Sequence, residues 1–223
     1  MSGKLIVFEG TDGSGKATQA KMMAKRLENE GVKFHVIDFP RYGNPFAEPA
    51  RLYLQGVLGS KPGDVSAYAA SVLYAVDRFA SYAGKWKDFY ENGGVLISDR
   101  YTTSNAVHQG GKMDEEQQRD FFRWLYDLEY DKMGLPKPDL VLLLDMPTEL
   151  SQKLMRHREE STNTKADIHE KDAAYLAACR KTAGRAADFY GWQKISCAKD
   201  GDIRTPQEIH EEIFGYVRAC LED

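Results

Sequence analysis

Two apolar patterns alternate along this chain. Leu5, Ile6, Val7 and Phe8 form an unbroken run, as do Val95, Leu96 and Ile97, and then Leu140 to Leu144. Short continuous runs bounded by turn residues predict strands covered on both faces, the interior strands of a parallel sheet. Strands are expected at 5–9, 33–38, 95–98, 140–145 and 194–197. Helical stretches lie between them, at 17–30 (stopped by Gly31), 65–90, 115–130, 148–158 and 168–190. The 115–130 stretch repeats apolar residues at Phe121, Leu125 and Leu128. A last helix opens on Thr205, Pro206, Gln207 and Glu208, which read as N-cap, proline at the first helical position and capping-box glutamate. This alternation predicts an α/β fold: a five-stranded parallel sheet with helices on both faces. No linker, repeat or low-complexity tract divides residues 1–223, so one domain is expected.

In such sheets ligands bind at the carboxyl ends of the strands. The first strand runs into Gly10-Thr11-Asp12-Gly13-Ser14-Gly15-Lys16 and then a helix. A glycine-rich turn there gathers backbone N–H groups around one cavity. The helix N-terminus adds partial positive charge, and Lys16 a full one. This is the signature of a loop, residues 10–17, that cradles the β- and γ-phosphates of a nucleotide. The position after Lys16 normally carries a hydroxyl for Mg²⁺, but here it is Ala17. Thr18 follows, about 100° further round the helix, and is not an automatic replacement.

Composition narrows the picture. The 223 residues are 42% hydrophobic, enough for a core, with no apolar run long enough to cross a bilayer. A net charge of −4 excludes the broad positive surface of a nucleic-acid binder. Three widely spaced cysteines (Cys179, Cys197, Cys220) and no signal-peptide pattern imply free thiols in the cytoplasm.

Further chemistry follows the other strands. Phe39-Pro40-Arg41-Tyr42 follows the second and Asp99-Arg100-Tyr101 the third, with Ser104, Asn105 and His108 beyond. Tyr74 and Arg78 lie four residues apart, on one face of a helix. With the phosphate loop and its acid Asp12, these segments resemble the thymidylate kinase family in order and spacing, over nearly the whole chain. The resemblance implies a P-loop kinase fold with a short lid at about 154–170, and ATP-dependent phosphorylation of dTMP with Mg²⁺. It implies that Lys16 contacts the transferring phosphoryl group and that Arg41 and Arg100 hold the acceptor phosphate. Tyr74 would stack on thymine, and Arg78 would donate to its O4. Ser104 and Asn105 would read the other base edge. Asp12 would bind the 3′-hydroxyl, Phe39, Tyr42 and His108 would line the acceptor pocket, and Asp99 would organise the metal.

The phosphate loop has Gly13 where some relatives place a catalytic cation, so the lid is expected to supply it. Arg156 and Arg158 are the candidates, with Lys165 next. Asp167 and Glu170 resemble family acids near the acceptor. Relatives are homodimers, and the helices at 65–90 and 115–130 offer an interface unless their apolar faces are core. Two other functions remain open at this point. One is a kinase for another nucleoside monophosphate; the other is a nucleotide-binding switch that needs no acceptor pocket.

Overall fold

The structure, a computed structural model, describes residues 2–162, 169 and 172–222. The strands are β1 (Lys4–Glu9), β2 (Phe34–Asp38), β3 (Val95–Asp99), β4 (Leu140–Asp145) and β5 (Gln193–Ser196). They form a five-stranded sheet in the order β2-β3-β1-β4-β5, with every pairing parallel. The three continuous apolar runs are the three interior strands. The edges, β2 and β5, are more exposed and less apolar, because only the interior strands are covered by neighbours as well as by helices.

Alternation along β1 divides the core. Ile6 and Phe8 face α1 (Lys16–Asn29) and the C-terminal helix, packing with Met23, Leu27, Ile213 and Val217. Leu5 and Val7 face the other way, with Leu96, Trp86 and Tyr101. The remaining helices are α2 (Glu48–Leu54), α3 (Ala67–Ser81), α4 (Lys87–Glu91), α5 (Thr102–His108), α6 (Glu115–Tyr126), α7 (Thr148–Thr162), α8 (Ala173–Tyr190) and α9 (Pro206–Glu222). The helix expected at 65–90 is α3 and α4 joined by a π-helical turn, Tyr82–Trp86. That expected at 115–130 is α6 continued by a second π-helical stretch, Asp127–Lys132. The capping box of α9 forms as read: Thr205 N–H donates to Glu208 at 2.9 Å, and Glu208 N–H to Thr205 Oγ1 at 3.2 Å. Sequence patterning missed α2, α5 and a two-stranded hairpin, β6 (Ala198–Lys199) with β7 (Asp202–Ile203).

The register places Phe8 beside Asp99, and Asp38 beside Asp99 on the other side. The carboxyl ends of β1, β2 and β3 therefore open onto one rim. That rim is where the strand order reverses between β1 and β3, the place such sheets bind ligands.

Candidate active site

A cavity of about 950 Å³ sits on this rim. At one end it is lined by Asp12, Gly13, Gly15, Lys16, Ala17 and Thr18 of the phosphate loop and α1. Gly15 caps α1 with φ of 93°, a left-handed conformation that glycine adopts without strain. Gly13 has φ of +77°, and a Cβ there would lie 2.5 Å from the carbonyl oxygen of Ser151. Only glycine lets the loop press so closely on α7, the root of the expected lid. The Lys16 ammonium donates to the carbonyls of Gly10 at 2.8 Å and Thr11 at 3.0 Å. It is only 6% exposed, because Lys16 is folded back onto its own loop. Burial, then the nearby Arg100 charge, lowers its pKa.

Beside the loop lies a cluster built on Arg100. This residue has φ of 68°, rare for a residue with a side chain, in the turn between β3 and α5. Its guanidinium pairs with Asp12 and meets His108 Nε2 at 3.0 Å and Ser104 Oγ at 3.4 Å. Burial works to raise the Asp12 pKa, but the Arg100 and Lys16 charges prevail and lower it. Beneath lies Glu9, the fully buried last residue of β1. It accepts from Gly10 N–H at 2.9 Å, Thr103 at 2.6 Å and Ser104 at 2.7 Å. Sequence reading passed over Glu9 as the polar end of a strand. Ser104 lines the cavity, but its hydroxyl proton goes to Glu9.

The opposite wall carries Tyr74, Arg78, Asn105 and Tyr101, with Phe39, Pro40, Tyr42 and Leu54 nearby. Tyr74 stands edge-on to Tyr53, ring centroids 6.2 Å apart. Arg78 is 1% exposed and makes two 2.6 Å bonds to Glu129. The sequence signal for Glu129 was missed: the inward stripe of α6 continues to Glu129, which is fully buried, rather than to Leu128, which is half-buried.

On the third side, the His108 ring stacks on His169 at 5.6 Å and 12°. Tyr53 Oη lies 2.9 Å from His169 Nε2. Burial, then Arg100, holds the His108 pKa well below its usual value. Burial and the Lys112 charge push that of His169 down to about 4. Both imidazoles are therefore neutral at pH 7.

The structure thus brings together Asp12, Lys16, Phe39, Tyr42, Tyr74, Arg78, Asp99, Arg100, Ser104, Asn105 and His108. Arg41 stands outside the cavity lining; its backbone N–H donates to Asp77 at 2.8 Å, and its side chain is half-buried. Helix α7 carries Arg156 and Arg158, whose side chains lie outside the described residues, as do Lys165, Asp167 and Glu170.

A hard cation suits the rim. Asp99 Oδ1 is buried with no hydrogen-bond partner. Burial, then the Asp99 charge, raises the Asp38 pKa. Among the described residues, no three His, Cys, Asp or Glu side chains are grouped to hold a metal by themselves. Mg²⁺ would therefore come with phosphate oxygens and water as its other ligands, as it commonly does.

Comparison with known proteins agrees with this geometry. Residues 8–213 match the family model described as thymidylate kinase. A thymidylate kinase of Mycobacterium tuberculosis is 33% identical over 171 residues, covering 76% of this chain and 78% of the relative. One of Halothermothrix orenii is 30% identical over 226 residues, covering 99% of each. In three dimensions, the chain superimposes on a thymidylate kinase structure from Candida albicans with a TM-score of 0.71. That likeness spans 98% of this chain and 92% of the other at 20% identity, and bears on the fold alone.

Proposed function

The chain belongs to the thymidylate kinase family, and from that membership we propose how its own residues divide the transfer of the ATP γ-phosphoryl group to dTMP. One observation carries the reading. A phosphate loop with its lysine and a wall of Tyr74, Arg78 and Asn105 face the same cavity, so donor and acceptor sites share one space. A nucleotide switch needs no second wall.

The chemistry is mostly alignment and charge neutralisation. The loop N–H groups and Lys16 hold the donor phosphates. Arg100, already oriented by Asp12, Ser104 and His108, takes the acceptor phosphate through paired N–H donors. Arg41, outside the lining, takes a secondary share. Once Arg100 turns to phosphate, Asp12 is released to accept from the sugar 3′-hydroxyl. Tyr74 stacks on the base, Arg78 donates to O4 and Asn105 accepts from N3–H. Phe39, Tyr42 and His108 close the sugar side. Mg²⁺, when bound, neutralises oxygens of the β- and γ-phosphates, and Asp99 would hold it through its unpartnered oxygen. Ala17 supplies no oxygen ligand. The lid, residues about 154–170, brings Arg156 or Arg158 to the transferring group.

A second copy of the chain covers α3. Tyr68, Val72, Val76 and Phe79 are each about two-fifths exposed and form one stripe at spacings of four and three. An apolar stripe of this kind marks an interface, here a homodimer's, and a cytoplasmic location completes the proposal.

The test is ADP production from ATP with dTMP, dUMP, dCMP and dGMP in turn. dTMP should lead dUMP by about 10–200-fold, the worth of one methyl in an apolar pocket, and dCMP by more, because polar groups are mismatched. Equal use of dCMP, or ADP release independent of acceptor, would overturn the reading.

A further inference from the structure

The base-reading wall rests on a carboxylate that no motif identified. Glu129 lies in the π-helical stretch after α6 and is fully buried. Both its oxygens are engaged. Oε2 accepts from Arg78 Nε at 2.6 Å; Oε1 accepts from Arg78 Nη2 at 2.6 Å and from Asn105 Nδ2 at 3.1 Å. One acid thus holds both residues that face the base.

Counting hydrogens shows the consequence. Arg78 has five N–H groups. Two go to Glu129 and one to the Tyr101 carbonyl at 3.3 Å. What remains for a ligand is one N–H on each terminal nitrogen. Asn105 has two amide hydrogens, bonded to Glu129 and to the Ser71 carbonyl at 3.1 Å. What it has left is its carbonyl oxygen. The wall therefore presents donors from Arg78 and an acceptor from Asn105. Thymine offers the complement, a carbonyl at O4 and an N–H at N3. Cytosine reverses both positions, with an amino group and a bare ring nitrogen.

Stability alone is a weak reason for the pair. A buried ion pair is often replaceable by apolar groups at no loss, because desolvating two charges offsets their attraction. Burial alone would lower the Arg78 pKa; the facing Glu129 carboxylate reverses that, and the pKa is raised. The guanidinium is thereby fixed as a cation in one orientation.

We infer that Glu129 is a specificity-determining positioning residue, which sets the donor–acceptor polarity of the base site through Arg78 and Asn105. The inference rests on the proposed base-reading role of that wall. Without an acceptor-only group at this position, Asn105 keeps only the Ser71 carbonyl to orient its amide, so its flipped form, which offers amide hydrogens to the base, gains population, while Arg78 withdraws. Cytosine is then tolerated.

The experiment compares kcat/KM for dTMP and dCMP in the unaltered protein, Glu129→Gln and Glu129→Asp, with the ATP KM and melting temperature of each. Glutamine keeps the shape but puts an amide NH₂ donor where an acceptor is needed. Aspartate keeps the polarity on a shorter stem. The dTMP:dCMP ratio should fall by about tenfold or more in Glu129→Gln, through a rise in the dTMP KM and a drop in the dCMP KM. In Glu129→Asp it should fall less. The ATP KM should stay within about twofold, since Glu129 touches nothing on the donor side. An unchanged ratio in folded Glu129→Gln overturns the inference, and so does a uniform loss for both acceptors. If the glutamine variant does not fold, the aspartate variant decides: an unchanged ratio there overturns the inference equally. Should the unaltered protein use dCMP as well as dTMP, it is the function of the wall that fails, a result separable from failure at Glu129.

Discussion

Replacing Lys16 tests the phosphate site most directly. In Lys16→Ala two bonds vanish, those at 2.8 and 3.0 Å to the Gly10 and Thr11 carbonyls. An ammonium has three N–H donors, so the ligand-free loop holds two and leaves one for phosphate. Removing a preorganised donor of this kind lowers turnover by about 10²–10³, or about 2.7–4 kcal/mol in the transition state. The stability effect is smaller, because two contributions oppose each other. The lost bonds to a charged group are worth about 1.5–3 kcal/mol each, but the lowered Lys16 pKa means that folding disfavours its charged form. These contributions oppose each other, so the melting temperature should move by only a few degrees, roughly the effect of 1 kcal/mol in a domain of this size. Lys16→Met, which keeps most of the stem, separates lost charge from lost packing. The assay is single-turnover phosphoryl transfer under saturating ATP and dTMP, beside equilibrium ATP binding. A folded Lys16→Ala protein with native turnover would refute the assignment.

Two further outcomes are expected. Arg156→Ala combined with Arg158→Ala should depress the single-turnover rate far more than nucleotide affinity, because a lid cation acts only as charge spreads in the transition state; near-normal chemistry in the double variant sends the search to Lys165. Stability should also fall on acidification through His169. The unfolded chain protonates it near pH 6.5, whereas the folded chain resists until about 4, so the loss begins below about pH 6.5 and reaches about 3 kcal/mol by pH 4. The melting temperature of the native protein should therefore drop more steeply between pH 7 and 4.5 than that of His169→Gln, and parallel curves would rule this out.

What the sequence made legible, and what it hid, divides along physical lines. The strands β1, β3 and β4 were readable because burial on both faces leaves unbroken apolar runs. The phosphate loop was readable because glycine is required at φ of +77° and 93°. Helix α5 was not, because Thr102-Thr103-Ser104-Asn105 has neither apolar period nor strong helix propensity; it is held by tertiary contacts such as those of Thr103 and Ser104 with Glu9. Glu9 and Glu129 were hidden for a related reason. A glutamate reads as surface in any local pattern, and its burial is decided by partners distant in the chain: Arg78 is 51 residues from Glu129. Lys16 was found in the sequence but its environment was not, since its carbonyl partners depend on the folded loop. The cations and the acids are not independent findings, however. Arg78 and Arg100 were both recognised as cavity cations, and each proves to be held by a carboxylate, Glu129 and Asp12. A long cationic side chain buried beside a ligand site needs an acid to hold it before the ligand arrives, whether it stays on that acid, as proposed for Arg78, or passes to the ligand, as proposed for Arg100. Once a motif places arginine in a cleft, an acid at an inward helical position is therefore a functional candidate, and here that rule leads from Arg78 to the stripe of α6 and to Glu129.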